Sequence, residues 1–176
     1  QDEDFEPIIR KTEEFIRTYS LTAYDEKTGR GLVRNLYLRK AHTTGEIMVC
    51  LVINGKSIPH KEQFTTMISA CKGVTSIYLN INREMTNVVL GKTCVPLWGK
   101  ESITDLLCGL KFRIAPLSFY QINSPQTENI YRFVAENAGL TKDDTVIDLY
   151  CGIGTIGLCI ADRVKNVLGI EVIEQA

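Results

Sequence analysis

Gly152, Gly154 and Gly157 stand at G-x-G-x-x-G spacing directly after a short apolar run, Thr145-Val-Ile-Asp-Leu-Tyr. Glycines at such a turn let the backbone come close to a ligand. Amides at the start of a following helix add a partial positive charge that suits an anionic group. Glu171 closes the next apolar run roughly 20 residues further on, where a carboxylate can grip the two hydroxyls of a ribose. Three glycines beside a turn can also be simple packing, so the spacing alone leaves a dinucleotide site and a structural turn both open.

Asp148 narrows the choice. It stands inside the end of the strand, with Leu149, Tyr150 and Cys151 between it and the first glycine. A dinucleotide fold usually runs from apolar strand straight into glycine. An acid in the strand end followed by G-x-G is instead the pattern of methyltransferases that use S-adenosylmethionine (SAM). A second candidate lies upstream in Phe112–Asn123, FRIAPLSFYQIN. Here Gln121 is either an ordinary loop residue or an exposed amide that reaches a cofactor or a base. Polar loop residues carry function more often than their share.

These residues need elements to hold them. Thr145 to Tyr150 reads as a buried parallel strand, rich in β-branched residues. Ile156, Cys159, Ile160 and Val164 recur at helical intervals, and Val167-Leu-Gly-Ile is the next strand. The result is one βαβ unit. Ser124 and Pro125 fit the N-cap and first turn of a helix that buries Ile130, Val134 and Tyr131 and ends at Gly139. Upstream, a helix from Pro7 carries the stripe Ile8, Thr12, Phe15, Ile16 and Tyr19. Residues 32–40 and 46–53 read as an antiparallel strand pair, residues 59–72 as a helix, and residues 74–82 as a half-buried strand. Trp98 is expected to cap a core, and Cys108-Gly109 to turn a hairpin between 103–107 and 110–114. The fold class is therefore an α+β central domain over residues 1–115, followed over residues 116–176 by the start of a Rossmann-like α/β SAM methyltransferase domain, truncated.

Composition sets the remaining bounds. The chain has 176 residues, 44% hydrophobic and 23% charged, an ordinary globular balance. No apolar run approaches the ~18 residues of a membrane span, so no membrane partner and a cytoplasmic location are expected. Six cysteines with no C-x-x-C pair point to free, mostly buried thiols in a reducing compartment and to no metal site. The net charge of −1 gives no support to nucleic-acid binding, which usually draws on a basic excess. Arg34, Arg39 and Lys40 are left as either phosphate contacts or the solvated face of a sheet. Neither His42 nor His60 makes a convincing catalytic base.

Taken together, GVTSIYLNINREMTNVVLG (73–91), FRIAPLSFYQIN (112–123) and VIDLYCGIGTIGL (146–158) resemble the SAM-dependent RNA 5-methyluridine methyltransferases. GLVRNLYLRK (31–40) followed by GEIMVCLV resembles the central region of the same family. The resemblance implies SAM as cofactor and RNA as partner, ribosomal ahead of transfer RNA. It implies that Gln121 contacts SAM, that Tyr150 packs beside it, and that Gly152, Gly154 and Thr155 hold its amino-acid end. Glu171 would take the ribose hydroxyls and Asp148 would support the loop. In the implied reaction a cysteine thiolate adds to uridine C6, C5 takes the methyl group, and a base removes the C5 proton. No cysteine here matches the family's nucleophile motif, so no catalytic residue is expected within the chain. The nucleophile and base are expected C-terminal to it. A two-strand remnant of the sheet would expose an edge and an apolar face through which copies could self-associate. Two alternatives remain, a dinucleotide-dependent oxidoreductase and a non-catalytic RNA-binding module.

Overall fold

The computed structural model describes residues 2–172. They divide into two units, residues 2–41 with 45–103, and residues 42–44 with 104–172.

The first unit is built on a mixed sheet in the order β1-β2-β3-β4. β1 (Val33–Lys40) and β2 (Ile47–Ile53) pair antiparallel, from Val33 against Ile53 to Lys40 against Ile47. β2 and β3 (Val74–Ile81) run parallel, so their connection must cross over the sheet, and α2 (Lys61–Ser69) makes that crossing. β4 (Thr93–Gly99) returns antiparallel along β3. Every residue of β2 is buried, as expected of a central strand with neighbours on both sides. Ile47, Val49, Leu51 and Ile53 pack with Ile8 and Phe15 of α1 (Glu6–Thr18) and with Phe64 and Ile68 of α2. The Phe15 and Phe64 rings meet at 5.0 Å between centroids.

Three expectations are corrected here. β3 is buried on both faces rather than half-buried. Two of its polar side chains find backbone partners: Asn80 donates to the Gly91 carbonyl (2.8 Å) and accepts from the Gly91 amide (2.7 Å), while Tyr78 donates to the Glu101 carbonyl (2.9 Å); the buried Thr75 and Ser76 hydroxyls have no hydrogen-bond partner among the described residues. An alternating pattern can therefore mark two buried faces when the loop opposite offers backbone partners. Trp98 caps nothing; it lies on the edge strand and is 43% exposed. Arg34 and Lys40 are committed within the unit. The Arg34 guanidinium donates to the carbonyls of Asn82, Glu84 and Thr86 at 2.7 to 2.9 Å and lies over the Tyr24 ring. Lys40 pairs with Asp2 and Asp4, bonds that raise the lysine pKa and lower that of Asp2.

The second unit holds the hairpin β5 (Ile103–Leu107) and β6 (Leu110–Ile114), then α3 (Ser124–Asn137), β7 (Thr145–Leu149), α4 (Thr155–Ile160) and β8 (Asn166–Ile170). Cys108 and Gly109 both have positive φ, as the expected two-residue hairpin turn requires. The division at 103/104 falls before the expected boundary at 115/116. The hairpin belongs to the second unit because Leu107 and Phe112 share a core with Tyr131 of α3. The N-cap of α3 is Asn123, one residue earlier than expected, accepting from the Gln126 amide at 3.2 Å. This helix buries Thr127, Tyr131 and Ala135, whereas Ile130 is exposed and Val134 only half-buried.

β7 and β8 pair parallel, Val146 against Val167 and Asp148 against Gly169. The expected buried strand is a correction too. α4 covers one face only, and on the other Ile147 and Leu149 are 57% and 60% exposed. The helix is also shorter than expected, giving way to a 3-10 turn over Ala161–Arg163.

Phe64→Ala is expected to destabilise the first unit by roughly 3–5 kcal/mol, since it empties the α1–α2–sheet core. Urea unfolding followed by the fluorescence of Trp98, the chain's one tryptophan, measures it. A loss below about 1 kcal/mol would remove Phe64 from that core.

Candidate functional site

The site is the turn between β7 and α4, at the carboxyl end of the leading strand of the parallel pair. That is the end at which open parallel sheets bind ligands. Tyr150 leaves the strand with φ +59°, and Gly152 and Gly154 follow at +55° and +77°. Glycine suits the latter two, and Tyr150 bears the strain of a left-handed conformation that L residues seldom adopt. Its side chain is 85% exposed. A Cβ placed on Gly152 would meet nothing within 4 Å. The backbone at Gly152 therefore faces open space, as a surface for a ligand must.

Backbone bonds close the turn. The Cys151 amide donates to the Ile170 carbonyl (3.1 Å), Gly154 to Cys151 (2.8 Å) and Leu158 to Gly154 (2.9 Å). Two carboxylates complete it. Asp148 accepts from the Gly157 amide at 3.2 Å, tying the strand end to the first turn of α4. Glu171, just past β8, accepts from the Gly152 amide at 3.0 Å and from the Val172 amide at 2.8 Å. The structure thus brings Asp148, Gly152, Gly154, Thr155 and Glu171 to one turn, with Tyr150 at its rim. Glycine at 157 is required by space: a Cβ there would fall 2.8 Å from Val167 Cγ1 and 3.1 Å from Asp148 Oδ2. Gly169 has the same role on β8, where a Cβ would lie 2.9 Å from Cys151 Sγ.

Gln121 comes from a different segment. Phe119, Gln121 and Ile122 all point outward, while Tyr120 turns in. Tyr120 packs on Leu107, Phe112 and Tyr131, and so does Ile153 from between the loop glycines. The two motifs are therefore anchored on one small core, each by the residue adjacent to its candidate contacts. Tyr131 is expected from sequence only as a buried residue of its helix, yet its hydroxyl lies 2.8 Å from Thr155 Oγ1 and links α3 to the start of α4. Burial pushes its pKa up. The sequence signal for this role is the i, i+4 stripe Thr127, Tyr131, Ala135, which is less apolar than Ile130 and Val134 and so easily overlooked.

The cysteines divide by surroundings. All are free thiols, and Cys108 is exposed in the hairpin turn rather than buried. Burial pushes Cys50 and Cys159 up to about 12. Among the described residues there is no group of three or more His, Cys, Asp or Glu that could hold a metal ion, and no helix long and apolar enough to cross a membrane.

No family model matches the chain. It is 43% identical over 177 residues to an "uncharacterized RNA methyltransferase" of Clostridium tetani (strain Massachusetts / E88), covering 100% of this chain and 38% of the relative. A protein of the same description from Lactobacillus johnsonii is 47% identical over 175 residues, covering 99% and 39%. The chain thus spans less than half the length of these curated relatives. Among solved structures it is similar to the Pyrococcus abyssi tRNA (uracil-54, C5)-methyltransferase in complex with S-adenosyl-L-homocysteine. The TM-score there is 0.77 at 31% identity, over 96% of this chain and 40% of that one. The complex of aTrm5 with tRNALeu shares the fold alone, at TM-score 0.51 and 14% identity.

Gly157→Ala is expected to cost about 1–3 kcal/mol, because its methyl group must displace Val167 or break the Asp148–Gly157 bond. A thermal unfolding curve unchanged from the parent would show that the turn is not packed as described.

Proposed function

We propose that the protein carries the cofactor-binding turn of an enzyme that transfers a methyl group from SAM to C5 of a uridine in RNA. One observation carries this reading: an acid at the end of the leading strand and an acid after the second strand bond to the amides of Gly157 and Gly152, the last and first glycines of the G-x-G-x-x-G run. The similarity to RNA methyltransferases and to a uracil-C5 methyltransferase structure supports it.

The residues present fit such a cofactor. Glu171 already accepts a hydrogen bond at the mouth of the turn and offers its carboxylate to paired hydroxyl donors. The Gly152–Gly154 backbone, open on its outer side, would receive the amino-acid end together with Thr155, whose hydroxyl is held by Tyr131. Asp148 keeps the turn closed through Gly157. Gln121 and the exposed Tyr150 would also contact the cofactor. When bound, SAM supplies an electrophilic methyl group. The protein's part in this segment is to bind and orient it, which is the proximity contribution to catalysis.

The nucleophile and proton-abstracting base are proposed to lie in the portion of the relatives' length that this chain does not span. The cysteines here fit that assignment. Cys50 and Cys159 are held protonated at neutral pH, and Cys151 packs into the sheet against Gly169.

The test is methyl transfer by the full-length protein from labelled SAM to undermodified ribosomal and transfer RNA, each supplied separately, with product nucleosides identified by mass spectrometry. Labelled 5-methyluridine is the expected product. Label on another atom would reject uridine C5, and SAM binding abolished by NAD would favour a dinucleotide enzyme. Glu171→Gln is expected to weaken SAM binding about ten- to hundred-fold, the value of a hydrogen bond to a charged group. Equilibrium titration measures it, and unchanged affinity would remove Glu171 from the site.

A further inference from the structure

The hairpin β5–β6 contains a residue that a hairpin has no need of. Asp105 sits at an inward position of β5, between Ile103 and Leu107, and is 1% exposed. A buried carboxylate is costly unless donors surround it. This one accepts from the amides of Thr43 (2.8 Å), Leu106 (3.0 Å) and His42 (3.1 Å), and from the Ser124 hydroxyl (3.3 Å). The Tyr120 hydroxyl is buried without a hydrogen-bond partner among the described residues, and burial first, then the Asp105 charge, push its pKa up.

These partners bracket one segment. Ala115–Asn123 has no helix or strand of its own and presents Phe119, Gln121 and Ile122 outward. It is held by Tyr120, which turns back onto Phe112 with ring centroids 6.3 Å apart, and by Ser124, where α3 begins. Of the two, Ser124 bonds to Asp105, at 3.3 Å. An apolar side chain would serve the hairpin core equally well but would give Ser124 and the three amides no acceptor. The carboxylate therefore ties the hairpin to residues 42–43 and to Ser124, the residue at which the loop ends.

We propose that Asp105 is a positioning residue for the cofactor site: through Ser124 it fixes the end of the loop that presents Gln121. This rests on the SAM-binding reading above. Asp105 touches no ligand in this account. It preorganises a side chain that does, so that the loop's ordering is complete before the cofactor arrives.

A double-mutant cycle on SAM affinity in the full-length protein tests it. Gln121→Ala and Asp105→Asn are each expected to weaken SAM binding on the order of ten-fold. Asparagine keeps one acceptor oxygen, but its NH2 group only donates and so cannot replace the second carboxylate oxygen. If Asp105 acts through Gln121, the double variant binds no worse than Gln121→Ala alone. If the two losses multiply, Asp105 has only a structural role and the proposal is overturned. Should Asp105→Asn fail to fold, Ser124→Ala removes one link only. It is expected to weaken binding two- to five-fold in the parent background and not at all beside Gln121→Ala. Multiplying losses would again overturn the proposal. Absence of SAM binding by the parent would sink the functional reading itself. A parent that binds SAM with a silent Gln121→Ala would sink only the positioning role.

Discussion

A parallel pair of strands cannot be closed by a tight turn, and both units are shaped by that constraint. In the first, β2 and β3 are joined across α2, and β1 and β4 extend the sheet antiparallel on either side. β2 is thereby buried along its whole length. In the second, β7 and β8 are joined across α4, and the sheet of described residues stops at two strands. The crossover that closes the second pair also creates the site, because the chain must leave β7, reverse, and enter a helix within Tyr150–Gly154. Positive φ at three of those residues is the geometric consequence.

Carboxylates do the fastening in the second unit, each in a different way. Asp148 bonds inward to the helix amide of Gly157 and keeps the turn closed. Glu171 bonds outward to Gly152, at the rim where a ligand would compete for it. Asp105, the most deeply buried, gathers amides from the His42–Thr44 segment and a hydroxyl from the start of α3. In each case a charged acceptor meets backbone donors that would otherwise lack partners, and such bonds are stronger than neutral ones. Two cations of the first unit are also spent internally. Arg34 holds the segment after β3 through three carbonyls, and Lys40 holds the N-terminal acids. A cluster of basic residues in sequence is thus no measure of the charge left for a phosphate.

Much was legible in the chain itself. The βαβ pattern around Gly152, the hairpin at Cys108-Gly109, the β1–β2 pair and the helix stripe of Ile8, Thr12 and Phe15 all follow from periodicity and turn chemistry, because those signals are local. The glycines at 152 and 154 were legible for the same reason: positive φ is a property of single residues. Failures came where a residue's surroundings are assembled from distant segments. β3 alternates as a half-buried strand would, but Gly91 and Glu101 supply partners for Asn80 and Tyr78 on its polar side. Trp98 looked like core and is edge. In α3 hydrophobicity favoured Ile130 and Val134, whereas the neighbour to be matched was Thr155, and only Tyr131 could reach it.

The sequence by itself determined the glycine turn, the two acids that flank it and the strand–helix–strand order that sets them at one end of a sheet, because spacing along the chain converts directly into backbone geometry. Only the tertiary structure decided what those groups touch. It chose Gly157 as the partner of Asp148, Gly152 as that of Glu171, and it turned Tyr120 inward so that Gln121 faces out. It also gave Asp105, unremarked among ordinary strand residues, four donors from three segments. Hydrogen-bond partners and burial depend on which distant atoms arrive within about 3 Å, and no period in a single sequence encodes that.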